Sequence, residues 1–200
     1  MQKPHGYTGW IHLDRLRLTK ATLPERIDWF EYRVNLVAIS PLAHILDTQI
    51  TADPDSSALL IAGVSLCSAI EATGKFITGT QTPAGKPIPN NARFKRFVTE
   101  YMSPDLSRLR IGSPLYMAII WDDFRNGLAH GFAVRGGGFN GNRGGPYFGV
   151  NPDGSLNVNP AVFFDDFVQG FQRYISDVRA GGSKLPMFRN MFEAVFIRGE

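Results

Sequence analysis

The chain has 200 residues, of which 44% are hydrophobic and 20% charged, with a formal net charge of +3 at pH 7. This is the composition of a globular protein long enough to bury a core in one domain, and its basic excess is compatible with a polyanionic partner without requiring one. A single cysteine, Cys67, excludes an internal disulfide; it sits in an apolar run and reads as a buried free thiol in a reducing compartment.

Residues 1–21 show scattered aromatic and basic residues without a period and are expected to form an irregular N-terminal arm. They lack the apolar centre of a signal peptide. Thr22-Leu23-Pro24-Glu25 has the form of a capping box. A helix is expected from there to about Ile39, restarting at Ser40-Pro41 because Pro41 has no N–H and disfavours helix in the residue before it, and ending near Ile50. After the turn Asp53-Pro54-Asp55-Ser56, a helix is expected over Ser57–Ile77. Its only charge between Ala58 and Gly74 is Glu71. A helix apolar nearly all round is buried, and an unpaired carboxylate inside it is costly, so Glu71 needs a cation or a proton. The longest near-uncharged run, Ala58 to Ile70, is too short for a membrane span. The expectation is a cytoplasmic protein with no membrane partner.

Residues 79–91, broken by Pro83, Pro87 and Pro89, read as a loop. A short helix is expected over Asn91–Met102, with Phe94, Phe97, Val98 and Tyr101 on one side. Ser113-Pro114 has the form of a helix start. The next helix is expected to run to His130, with Tyr116, Ile120, Phe124, Leu128 and Phe132 as its core stripe. Residues 134–159 are expected to be an insertion: a glycine-rich loop over 135–145, then a β-hairpin from Tyr147 to Val158 turning at Asn151-Pro152-Asp153-Gly154. Pro160 opens a helix to about Arg179 with Phe163, Phe167, Phe171, Tyr174 and Ile175 on its apolar face. Residues 181–200 are expected to form a C-terminal amphipathic tail beyond a domain spanning 22–180. The fold class is mostly α, a bundle of four to five helices with a small β-hairpin insertion.

The helix around Trp121–His130 carries the chemistry. At about 100° per residue, Asp122, Asn126 and His130 lie opposite the core stripe, with Arg125 at their edge. That face also carries Leu115, Ala118, Ile119 and Ala129, a mixture that predicts a packed contact between two copies. Asn126 and His130 are four apart and can touch. An imidazole titrating near pH 6.5 moves protons at neutral pH, and a guanidinium grips phosphate and stabilises charge on a phosphoryl transition state. Together they suit metal-independent cleavage of RNA. The same residues also admit a structural reading, in which Arg125 pairs with Asp122 or Glu71 and His130 caps the helix end.

Arg125-Asn126-Gly127-Leu128-Ala129-His130-Gly131-Phe132 resembles the signature of the HEPN superfamily: an Arg, four to six residues, then a His, often with a polar residue directly after the Arg. The sharp match covers 124–132, and the order of elements fits over about 22–180. The resemblance implies a HEPN-like helical bundle, commonly a homodimer with two motif copies facing each other. It implies a metal-independent endoribonuclease, as in toxin–antitoxin pairs and defence systems, with RNA as substrate and a protein antitoxin as partner. It also implies the alternative of a non-catalytic module that binds a nucleotide, nucleic acid or protein. In these terms His130 is the general acid/base, Arg125 the phosphate binder and Asn126 the orienting residue. Glu71 and Asp122 are supporting groups, Glu71 as the acidic residue of an earlier helix that holds Arg125. The Tyr that some HEPN toxins carry two residues after the His is Phe132 here, so modification of that Tyr is not expected. No cofactor or metal is expected. Asp122-Asp123 and Asp165-Asp166 point adjacent carboxylates to different faces, and His5, His12 and His44 lack ligand spacing.

Overall fold

A computed structural model describes residues 15–52, 57–126, 137–139 and 144–199. The described chain is mostly helical with one small three-stranded sheet.

Residues Arg15–Lys20 form a short helix, α1. The arm is therefore not irregular throughout: Leu18 is buried and gives this turn a core contact. Helix α2 spans Leu23–Val34, and the Glu25 carboxylate accepts the backbone N–H of Thr22 at 2.7 Å, the reach-back half of the expected capping box. The interruption before Pro41 is a π turn, Asn35–Ile39, in which the N–H of Ser40 reaches the carbonyl of Asn35. Such a turn widens the helix by one residue ahead of a proline that cannot donate to it. Helix α3 follows over Ser40–Ala52.

Helix α4, Ser57–Thr78, is the element the others pack on. Gly79, at φ +80°, ends it in the left-handed conformation that glycine adopts most easily. By length and composition alone Ala58–Thr78 could cross a membrane; half of its apolar window is buried inside the fold. Helix α5, Asn90–Tyr101, buries Phe94, Phe97, Val98 and Tyr101 as its spacing predicts. It lies unusually close to α4: a Cβ placed on Gly74 would stand 2.2 Å from the carbonyl oxygen of Arg93. A short helix that the sequence pattern does not announce, α6 over Pro104–Arg108, is capped by the Ser103 hydroxyl, which accepts the Asp105 N–H.

Helix α7 starts two residues later than Ser113-Pro114 suggests, because Leu115 pairs with Arg110 in a β-bridge. It spans Tyr116–Ile119 and passes directly into a π segment, Ile120–Asn126. The expected hairpin is present as β2, Phe148–Val150, against β3, Leu156–Val158, antiparallel. The glycine-rich stretch is not all loop, however. Gly137–Phe139 forms β1 and pairs with β3 in parallel, giving the order β1-β3-β2. Phe139 packs edge-on against Phe124 at 4.8 Å, and Gly63 of α4 leaves room for its ring.

Helix α8, Pro160–Arg179, has Asn159 as its cap, the side chain accepting from the N–H groups of Ala161 and Val162. Helix α9, Leu185–Phe192, continues into a π segment, Glu193–Arg198. The tail reading of 181–200 is corrected by burial. Phe188 and Phe192 are fully buried, Phe188 meets Phe30 at 5.5 Å, and Phe196 meets Trp29 at 4.8 Å. An amphipathic segment whose apolar side fills the core belongs to the domain.

Candidate functional site

The site begins with the one acidic side chain of α4. The Glu71 side chain is 15% exposed, in a helix otherwise apolar on its inner faces. At that depth a carboxylate needs a partner. The partner comes from the π segment after α7: Nη2 of Arg125 donates to Oε2 of Glu71 at 3.0 Å.

Three contacts fix the Arg125 guanidinium. Besides Glu71, its Nη1 donates to Oδ1 of Asn126 at 3.4 Å. Its Cζ lies 4.9 Å from the centre of the Trp121 ring, a cation–π contact one turn back on the same segment. Trp121 is in turn buried and packed against Phe94 of α5 at 5.2 Å. The Nε atom is buried and has no acceptor among the described residues. A guanidinium has five N–H donors. With one given to Glu71 and one to Asn126, the described residues supply no further acceptor to either Nη atom.

Cys67 stands one turn before Glu71 on α4 and is fully buried. Burial pushes its thiol up to about 12, and the nearby Arg125 charge offsets this only in part. It is therefore a neutral packing group and not a nucleophile at neutral pH.

Of the residues singled out in the sequence, the structure brings Glu71, Arg125 and Asn126 together. Asp122 is exposed, and no hydrogen bond or ion pair joins it to Arg125. His130 and Ala129 fall in 127–136, outside the described residues. The expected copy-to-copy face is also altered. Ile119 is 9% exposed and part of the core, while Leu115 and Ala118 are half-buried. Ile119 ends the α-helical part of α7, three residues after buried Tyr116, and that spacing puts it on the core side. The residue that sequence reasoning misses is Trp121. Its signal is present, an aromatic four residues before the Arg on one helix face. Among the described residues, no three His, Cys, Asp or Glu side chains converge as a metal site requires.

Comparison of the chain with family models, curated proteins and solved structures returned no match.

Proposed function

We propose that the protein is a HEPN-type, metal-independent endoribonuclease whose active site is shared between two copies of the chain. The observation that carries this reading is Arg125: a guanidinium held in place by Glu71 and Trp121, in the sequence Arg125-Asn126-x-x-x-His130. Preorganised cations of this kind stabilise charge that develops on phosphate oxygens. His130 takes the proton of a ribose 2′-hydroxyl, and the oxygen so freed attacks the adjacent phosphorus. Arg125 binds the non-bridging oxygens, and Asn126 orients the phosphate. The bond to the 5′-oxygen breaks, and that oxygen takes up a proton from an imidazolium, leaving 2′,3′-cyclic phosphate and 5′-hydroxyl ends. In this reading the protein works in the cytoplasm as a toxin or defence component, and a protein antitoxin is its natural restraint.

A second reading rests on a specific feature: the Arg125 side chain is only 20% exposed and its Nε is enclosed. That suits a HEPN-like module that binds without turnover and uses Arg125 to tie α4 to the motif segment. Cleavage of a mixed RNA pool in EDTA, by wild type and by His130→Ala at equal fold content, separates the two. Cyclic-phosphate ends produced by wild type alone support the nuclease. RNA bound but left intact by both proteins supports the module.

A further inference from the structure

A cavity of about 640 Å³ opens between α2, α3, α4 and the segment Glu193–Arg198. Its volume falls within the roughly 300–1,000 Å³ of small-molecule sites. The floor is the small-residue face of α4, with Ser65, Ser68, Ala69 and Ala72. The walls are Phe30, Val34, Leu42, Ile45 and Phe196. The gap follows from the sequence. The inner face of α4 fills its space with Leu66, Cys67 and Ile70, while the middle of the face that lines the cavity carries Ser65, Ser68, Ala69 and Ala72, whose small side chains leave room between the helices.

Charge selects the occupant. Only two lining side chains are charged, Arg33 and Lys75, and both are cations. They lie at the same end, because Phe30, one turn before Arg33, packs at 4.4 Å on Phe76, the neighbour of Lys75. Arg33 lies over the rings of Trp29 and Phe196, at 5.4 Å and 5.9 Å. Neither cation forms an ion pair with a described carboxylate. The Lys75 ammonium is held below the usual lysine range, first by partial burial and then by the Arg93 charge; an anion beside it favours the charged form. The opposite end, at Leu42, Ile45 and Val64, is uncharged. From Lys75 to Val64 is about eleven residues of helix, or roughly 16 Å, comparable to an extended chain of about twelve carbons.

We propose that this cavity binds a long-chain carboxylate, its hydrocarbon chain along the Ser65–Ala72 floor and its head between Arg33 and Lys75. Glu71 does not line this cavity, and the proposal does not rest on the ribonuclease reading.

The test is calorimetric titration of the full chain with dodecanoate and with dodecyltrimethylammonium, which share a chain length and differ in head charge, both kept below micelle formation. Dodecanoate is expected to bind one per chain, and the cationic amphiphile about tenfold more weakly, the size of one charge-assisted hydrogen bond. The double substitution Arg33→Gln, Lys75→Gln removes that preference. Ala72→Phe, at an exposed position, abolishes binding of both while leaving the unfolding temperature unchanged; Ser68→Phe serves as a second blocking variant. Three results overturn the proposal. One is the absence of saturable dodecanoate binding, or equal binding of both amphiphiles. Another is dodecanoate binding that survives both blocking variants. The last is binding to phosphatidylglycerol vesicles, or self-association lost in Ala72→Phe, without binding of free dodecanoate; this would make the groove a membrane or copy-to-copy surface.

Discussion

Glu71 and Arg125, 54 residues apart in the chain, meet at 3.0 Å with side chains 15% and 20% exposed. The pair joins the longest apolar helix to the segment that carries the motif. Whatever the site does, its cation is positioned by a residue on another element, and through Trp121 and Phe94 by a third. A pair so enclosed differs from a surface ion pair, because removing one member strands the other's charge away from water.

Glu71→Ala is therefore expected to lower stability by about 2–3 kcal/mol, below the full cost of breaking a deeply buried pair because some solvent remains. Arg125→Ala is expected to cost a similar amount, and the double substitution less than the sum, with a coupling of about 1–2 kcal/mol. Urea unfolding of the four proteins measures this. Strict additivity means that the two groups do not hold one another. If the nuclease reading is right, Glu71→Gln also loses RNA cleavage by more than its stability change explains, since an amide holds the guanidinium less firmly.

The Cys67 thiol, buried and pushed up to about 12, is expected to resist an aromatic disulfide reagent at pH 8 for as long as the protein stays folded. Thiolate is the reacting species, and it is scarce several pH units below the raised value. Colour release is expected to follow unfolding across a denaturant series. Rapid reaction in native buffer would place Cys67 outside the core.

The parts of the fold that are legible in the sequence are those set by local rules. Asn159-Pro160 followed by the Phe163, Phe167, Phe171 and Tyr174 stripe marks both the start and the inner face of α8. The isolated carboxylate of α4 signals a buried partner before any partner is known. The wide turns are harder to read, because a repeat of four at Tyr116, Ile120 and Phe124 is taken for an α stripe. Yet four exceeds the turn of about 3.6 residues in an α-helix, and a strict repeat of four is itself a sign of wider winding. Strand β1 is illegible for another reason. Gly137 and Gly138 carry no strand signal, and their pairing with Leu156 and Asn157 is parallel and non-local; Gly138 is accommodated because a Cβ there would stand 2.7 Å from the Asn157 side chain. For 181–200, amphipathic spacing reveals the apolar face but not what covers it, and the Trp29 and Phe30 rings that do so lie at the other end of the chain. Trp121 is visible as a core aromatic, while its second role depends on where Arg125 turns.

Asp166 gives the stability a pH dependence of unusual sign. Burial raises its carboxyl above the ordinary range, and hydrogen bonds from the Ser103 N–H and Tyr147 hydroxyl offset this only in part. The folded state then holds the proton more tightly than the unfolded chain. Stability contributed by this group is full below the unfolded value of about pH 4 and declines as pH rises through the raised folded value. Asp166→Asn keeps an acceptor for both donors and removes the titration. It is expected to flatten the weakly acidic limb of a plot of urea midpoint against pH, and to leave the protein at least as stable at neutral pH. An unchanged limb would assign the dependence to other carboxylates.

Gly74→Ala sets two local rules against each other. In a helix interior alanine is favoured over glycine by about 1 kcal/mol, so the helix alone would gain. The new Cβ, however, would stand 2.2 Å from the Arg93 carbonyl oxygen, and that atom belongs to the α5 backbone and cannot rotate away. Overpacking of this kind costs about 1–3 kcal/mol, and relief requires α5 to move off α4. The displacement would act three residues from Glu71 and on the helix that carries Phe94, the ring against which Trp121 packs. The substitution is thus expected to lower the urea midpoint despite its better helix propensity, and to weaken the Arg125 pair with it. The second effect is read as a smaller coupling energy between Glu71 and Arg125 when their double-mutant cycle is repeated in the Gly74→Ala background. A stabilised variant with the coupling intact would mean that α4 and α5 are not in backbone contact at Gly74.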